Sequence, residues 1–351
     1  MHEGKQALKS KLTKAVSKFD RVDLANLPTP LQKLENLSSH LGGPTIYMKR
    51  DDLTGGLTFG GNKTRMMEFR MPPAVSQGAD IIVTGFAVQS NHARQIAVAA
   101  RKLGMDVLIV SRGDHVENMP EIQGNLFIDL LANARVKILD IGPKEQSAAI
   151  EREVERLKSE GRNPYETGYS DEHLSAISYA NCYLELEEQF EEKEISPDYL
   201  YVASGGATQA GLVLANKYIQ SSMEVRGINM VDWVEDIPAR ISGIANEAAE
   251  ELGLDFHVDK SDVVNYGDYL GKGYAKPTEK CIDAIRTTAG TEGILLDPVY
   301  SGKGMSGLID HVENGPLKPD DEVVYLHTGG VPELFCETEL FNLEDQIELG
   351  G

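Results

Sequence analysis

Gly60-Gly61-Asn62-Lys63-Thr64-Arg65 comes after a strand-like segment, Thr45-Ile46-Tyr47-Met48-Lys49, and the polar Arg50-Asp51-Asp52, and it runs into the apolar Met66, Met67 and Phe69. The paired glycines let the backbone approach another group closely, and the apolar spacing behind them predicts that Lys63 opens a packed helix. Most lysines are solvated surface charges. One held at a strand-to-helix turn can be partly desolvated, which lowers its pKa and frees its amine to form a Schiff base with a carbonyl.

Outward from this turn the same strand-then-helix rhythm repeats. Strands are expected at 80–84, 106–110 and 136–139, with helices over 91–103, 122–132 and 145–160. An acidic helix over 172–193 leads to a second series, with strands at 199–203, 224–230 and 322–327 and helices over 209–219, 236–252, 277–289 and 305–313. This pattern predicts an α/β protein whose mostly parallel sheets are covered by helices. The polar passage Asn163 to Ser170 is the expected junction between the two series, and 296–304 reads as irregular. Upstream, apolar residues at helical spacing between lysines predict an amphipathic helix over 5–19, a packing or dimer-contact arm, and a short helix is expected over 31–41.

With 351 residues the chain can hold two domains, and 34 basic against 55 acidic residues gives a net charge of −21. That balance argues against nucleic acid or an anionic membrane as partner. Cys182, Cys281 and Cys336 are too far apart for zinc or disulfide spacing and favour a reducing, cytoplasmic setting. The 8 histidines show no His-x-x-x-His pairing, so no metal is expected. Neither a signal peptide nor a membrane-spanning run is read.

Two further stretches carry chemistry. Ser204-Gly205-Gly206-Ala207-Thr208 joins a strand to a helix, where backbone N–H groups and the helix start converge on a point suited to phosphate. It has neither Walker A nor dinucleotide spacing, and a plain turn is the alternative. Gln89-Ser90-Asn91-His92 opens a helix, either as a simple N-cap or as a receiver of a substrate carboxylate through side chains and free backbone donors. Tyr274, Tyr300 and Thr328-Gly329-Gly330 are weaker signals singly, but together these stretches suit a pocket at the carboxyl ends of strands.

Taken in order, Thr29-Pro30-Leu31, Lys49-Arg50-Asp51-Asp52, the Lys63 turn, the 89–95 stretch, the 204–211 stretch, Leu296-Asp297-Pro298-Val299-Tyr300 and His327-Thr328-Gly329-Gly330 resemble the pyridoxal-phosphate enzymes grouped as 1-aminocyclopropane-1-carboxylate (ACC) deaminase and D-cysteine desulfhydrase. The resemblance implies a tryptophan synthase β-like, fold type II architecture. Residues 1–65 with 177–351 would form a large cofactor-binding domain, and 66–176 a small domain inserted in it. It further implies that Lys63 holds pyridoxal 5'-phosphate through a Schiff base and moves the α-proton, that Asn91 bonds the ring hydroxyl, and that Ser204 to Thr208 take the phosphate. Ser90, Asn91, His92, Tyr274 and Tyr300 would meet a small amino-acid substrate, with Ser301 and Thr328 beside the cofactor, in a homodimer.

The departures from the deaminase pattern are Ser301, where those enzymes carry glutamate against the pyridine nitrogen, and His92, where they carry glutamine. A neutral hydroxyl suits β-elimination, which asks less of the electron sink than ring opening. The resulting expectation is a lyase releasing pyruvate and ammonia from D-cysteine, or from L-cysteate by loss of sulfite. ACC deamination and a non-catalytic cofactor-binding protein are the alternatives.

Overall fold

The computed structural model describes residues 2–113, 120–168, 171–343 and 346–347. Among the described residues ten strands form two sheets: β1 (Leu31–Lys33), β2 (Thr45–Arg50), β3 (Ile81–Thr84), β4 (Asp106–Arg112), β5 (Arg135–Leu139), β6 (Pro164–Glu166), β7 (Tyr199–Ala203), β8 (Glu224–Ile228), β9 (Val264–Tyr266) and β10 (Glu322–His327). The larger sheet has the order β1-β2-β10-β7-β8-β9 and the smaller β5-β4-β3-β6. Only β1 against β2 is antiparallel; every other pair is parallel.

The covering helices are α1 (His2–Val16), α2 (Glu35–Leu41), α3 (Asn62–Arg70), α4 (Pro72–Ser76), α5 (Asn91–Lys102), α6 (Gly124–Leu131), α7 (Pro143–Ser159), α8 (Glu172–Lys193), α9 (Ala207–Tyr218), α10 (Ile237–Glu251), α11 (Glu279–Glu292), α12 (Ser301–Glu313) and α13 (Val331–Leu334). None of the described helices is long and apolar enough to cross a membrane.

Side-chain alternation along the strands sorts the core. Val323 and Tyr325 of β10 face Met305 and Leu308 of α12, whereas Val324 and Leu326 face the helices on the other side. That second core runs on without a break through α3, α5 and α8 to Ile82, Val107 and Ile109 of the smaller sheet. Ile81, Val83, Leu108 and Val110 turn the opposite way, against α7. The two sheets therefore share one core, and the helix that begins beside Lys63 lies inside it.

Several sequence expectations need adjusting. Leu31 to Lys33 are strand, because they pair with Lys49 to Tyr47 at the sheet edge, and the helix begins only at Glu35. The stretch 296–304 is not irregular throughout: Asp297 accepts the N–H groups of Val299, Tyr300 and Ser301, which caps α12 and starts it at Ser301. The N-terminal helix ends at Val16 rather than 19, and the second-series strand ends at Ile228. β6 and β9 are three-residue edge strands with no clear period in the sequence. Tyr169 and Ser170, part of the expected junction, lie outside the described residues.

Beneath the start of α3 lies a buried ionic network. Arg65 donates from Nε to Asp51 Oδ2 at 2.8 Å and from Nη1 to Glu185 Oε2 at 2.8 Å, and Tyr179 donates to Asp51 Oδ2 at 2.7 Å. Lys49 reaches Glu185 from β2 at 2.5 Å. Asp51 and Glu185 are both held below the usual carboxylate range; burial opposes this, but the charges of Arg65 and Lys49 outweigh it. Replacing Arg65 by Met leaves the buried Asp51 carboxylate without its ion-pair partner, while Glu185 keeps Lys49, so urea unfolding should show a loss of about 3–5 kcal/mol. A loss within experimental error would mean that the network does not anchor α3.

Candidate functional site

The carboxyl ends of strands from both sheets open on one cavity, with about 1240 Å³ of empty space including its mouth. Ala203 ends β7 and Ser204 to Thr208 follow it, Thr328 to Gly330 follow β10, and Phe86, Ala87 and Ser90 to His92 come after β3, all on its wall. This is where parallel α/β sheets place ligands.

Lys63 is the second residue of α3 and is half-buried on this wall. Gly61 (φ 107°) sets the turn before it, where a Cβ would come within 3.1 Å of the Thr328 carbonyl. The Asn62 N–H donates to that carbonyl at 3.0 Å, and its side chain donates to Thr208 Oγ1 at 3.1 Å. The residue before the lysine thus ties three loops together. No hydrogen-bond or ion-pair partner of the Lys63 amine is found among the described residues. Burial and then the charge of Arg70 bring its pKa down to about 8, while Glu172 opposes the shift.

Opposite lies the glycine turn. Helix α9 starts at Ala207 with no side chain capping it, and the N–H groups of Gly205, Ala207 and Thr208 have no partner among the described residues. Ser204 Oγ accepts from Gly206 N and Gln209 N, both at 3.3 Å, which curls the loop around an open space. A Cβ at Gly205 would meet Val231 at 2.9 Å. Unpaired donors at a helix start are an anion site awaiting phosphate. Arg240 braces the loop through the Gly205 carbonyl at 3.3 Å and grips both Glu172 oxygens at 2.7 Å.

At the helix start of α5, Ser90 Oγ accepts from the N–H groups of His92 and Ala93, both at 3.2 Å. These donors were expected to be free for a carboxylate and are not, because the serine is also the N-cap. What remains on the wall is the Ser90 hydroxyl proton, the Asn91 amide and the His92 ring. Asn91 Nδ2 donates to the buried Glu333 at 3.3 Å. His92 stacks on Phe86 at 4.6 Å and receives the Arg70 guanidinium at 2.7 Å. Burial, followed by Arg70 and Lys63, keeps its imidazole well below the usual range.

Tyr300 and Tyr274 share a hydrogen bond of 2.5 Å between their hydroxyls. Burial, then Tyr274 and Glu333, push the Tyr300 phenol well above its ordinary value, so it keeps its proton. Thr328 is on the wall as well. Ser301 is not: its fully buried hydroxyl donates to Asp297 Oδ1 at 2.5 Å and accepts the Asp297 N–H at 2.8 Å. Its hydrogen-bonding capacity is thus spent on Asp297 at the start of α12. Arg70, Arg94, Arg112, Glu172, Trp233 and Arg240 also line the cavity and had not been singled out. For Arg70 the available signal was its spacing of seven residues from Lys63, one helical face.

A model of pyridoxal-phosphate dependent enzymes matches residues 22–329. An ACC deaminase of Burkholderia ambifaria (strain MC40-6) is 37% identical over 336 residues, covering 93% of this chain and 98% of that protein. A D-cysteine desulfhydrase of Serratia proteamaculans (strain 568) is 37% identical over 331 residues, with the same coverage. The crystal structure of an ACC deaminase homologue superposes with a TM-score of 0.85 at 34% identity, covering 94% of this chain and 98% of the other. The chain belongs to the pyridoxal-phosphate dependent enzyme family. Its fold is the type II fold of that family. The unpaired phosphate cradle and the unpartnered, partly desolvated lysine fit the cofactor.

Capture of pyridoxal phosphate by the apoprotein needs the neutral amine, so its rate should rise with pH through about 8 and fall below. Borohydride trapping with mass spectrometry should place the adduct on Lys63. A midpoint near the ordinary lysine value of 10.5 would show that the wall does not desolvate it.

Proposed function

We propose that this enzyme is a β-elimination lyase acting on a small amino acid, with D-cysteine or L-cysteate as substrate. D-Cysteine and water would give pyruvate, ammonia and sulfide. The observation that carries the reading is electrostatic. Among the described residues, the only carboxylate on the cavity wall is Glu172, clasped by Arg240 on the phosphate side. Toward Tyr300 the wall offers hydroxyls, with Asp297 turned into its own helix cap. A reaction that leans less on a protonated ring nitrogen suits such a wall better than ring opening of ACC.

When bound, pyridoxal phosphate supplies a carbonyl for the substrate amine and an electron-withdrawing ring that takes up charge as the α-proton leaves. In our reading the Gly205, Ala207 and Thr208 N–H groups with the Ser204 loop bind its phosphate, Asn91 orients the ring, and Thr328 lies beside it. Lys63 would hold the cofactor through its carbonyl carbon and, with its amine free, would move the proton at Cα. Ser90 and His92 hold the substrate carboxylate. The protonated Tyr300–Tyr274 pair donates toward the departing group.

The same reading takes residues 1–65 with 177–351 as the large domain and 66–176 as the inserted small one, supported by the larger sheet drawing its strands from 31–50 and 199–327 and the smaller from 81–166. It also takes the molecule as a cytoplasmic homodimer, in keeping with three free thiols and an apolar surface. Phe59 (56% exposed), Phe127 (48%), Leu131 (65%) and Phe335 (60%) surround one groove, more exposed aromatic and aliphatic surface than a monomer readily leaves in water. A second copy of the chain would cover it.

Purified enzyme should release pyruvate from D-cysteine or L-cysteate, and Lys63→Ala should lower the rate by at least about 10²–10⁴-fold. Formation of 2-oxobutyrate from ACC, with no pyruvate from either sulfur substrate, would overturn this in favour of the deaminase. Light scattering of a Leu131→Glu, Phe335→Glu variant should give a monomer where the parent is a dimer. An unchanged mass would place the interface elsewhere.

A further inference from the structure

Arg70 is a buried cation to which the chemistry above gives no task. It lies two helical turns from Lys63 on α3, so that Lys63, Met66 and Arg70 form one stripe along the cavity. A guanidinium has five N–H groups and accepts nothing. Here Nε donates to Asp171 Oδ2 at 3.2 Å, and Nη2 donates to Asp171 Oδ1 at 2.9 Å and to Thr167 Oγ1 at 3.0 Å, with the Gly168 carbonyl also in contact. Nη1 donates to His92 Nε2 at 2.7 Å and to Ser175 Oγ at 3.4 Å. Every donor is taken within the protein, which leaves none for a substrate.

The contact with His92 determines the state of that ring. Arg70 can only donate and does not give up its proton, so Nε2 must present a lone pair. The proton of the neutral imidazole is then on Nδ1, for which no partner is found among the described residues. Phe86 stacks on the ring at an interplanar angle of 21° and fixes its plane. The charged groups around it are Arg70 and Lys63 from α3, Arg94 two residues along α5, and, beyond Arg70, Asp171 and Glu172 from the start of α8. Both carboxylates are already occupied by arginines. A second proton on His92 would set a cation against Arg70 at hydrogen-bond distance.

We propose that Arg70 is a positioning residue that locks His92 as its neutral Nδ1–H tautomer, so that His92 serves the active site only as a hydrogen-bond donor and never as an acid or base. That the group receiving this hydrogen bond is the substrate carboxylate rests on the elimination reading above; the state of the ring does not. Proton movement at the substrate is thereby left to Lys63.

Nitrogen–proton correlation NMR of the cofactor-loaded enzyme, labelled in histidine and assigned with His92→Gln, tests this without substrate or turnover. A failed assay for pyruvate therefore leaves this test standing. His92 should carry its proton on Nδ1 and show no titration between about pH 5 and 8. A proton on Nε2, or a midpoint near the ordinary 6.5, would overturn the proposal. The pair Arg70→Met with Asp171→Asn removes both buried charges together, and His92 should then titrate within that window. Should this variant fail to fold, Arg70→Lys keeps the charge without the planar fork, and a mixture of tautomers is expected. Wild-type His92 signals in either folded variant would show that Arg70 does not set the ring.

Discussion

The salt-bridged cluster of Arg65, Asp51 and Glu185 is the constraint on which the geometry of Lys63 depends. Arg65 stands two residues beyond the lysine and points away from the cavity, so the same helical turn faces solvent-accessible chemistry on one side and a buried ion network on the other. Removing two carboxylates and a guanidinium from water is costly, and good geometry must offset it. Here Asp51 receives Arg65, Thr29 and Tyr179 together, from three separate segments of the chain. A rotation of α3 that displaced Lys63 would break those contacts at once.

On the cavity side the corresponding constraint is backbone proximity. Gly61 and Gly329 approach so closely that a Cβ on Gly329 would meet Gly61 Cα at 2.8 Å, and both hold positive φ. Asn62 then bonds to the loops after β10 and β7. The lysine turn, the last strand and the phosphate cradle are one rigid assembly, and side chains on it are held as closely as preorganised chemistry requires. The α5 side, carrying Ser90, Asn91 and His92, approaches it from the smaller sheet. Arg70 on α3 crosses to His92, and Arg94 on α5 reaches back to the Thr58 carbonyl ahead of the lysine turn.

The strands and most helices were legible because their periods are long and apolar, and the turns at 60–63 and 204–208 because glycine has few other reasons to stand there. Short edge strands were not. Leu31-Gln32-Lys33 becomes a strand only through its neighbour, Lys49 to Tyr47. Buried charge was equally opaque: Arg70 and Glu333 read as solvated helix residues until Asp171 and Asn91 are seen beside them. The position of Ser301 illustrates a different limit. Its expected place beside the cofactor rests on the family resemblance, which carries no information on the side chain's local partner, and here its hydroxyl donates to Asp297.

Charge is distributed in opposite senses at the two length scales. The molecule as a whole carries −21, whereas Lys63, Arg70, Arg94, Arg112 and Arg240 line the cavity with Glu172 as the only acid among the described lining residues. The long-range repulsion of an anion by the surface is screened within a Debye length of about 8–10 Å. Inside a low-dielectric cleft the local charges act with much less screening. Most of these cations have their hydrogen-bonding capacity tied up by groups behind the wall, as Arg70 does with Asp171 and Arg240 with Glu172. They therefore bias the pocket toward anionic groups, and Arg70, after burial, lowers the basicity of Lys63 and His92. The neutral donors on the same wall are backbone amides, hydroxyls and the Asn91 amide, joined in the proposed tautomer by the His92 Nδ1–H. Such donors surround a lysine amine whose pKa is lowered to about 8, within reach of the neutral form it needs to react.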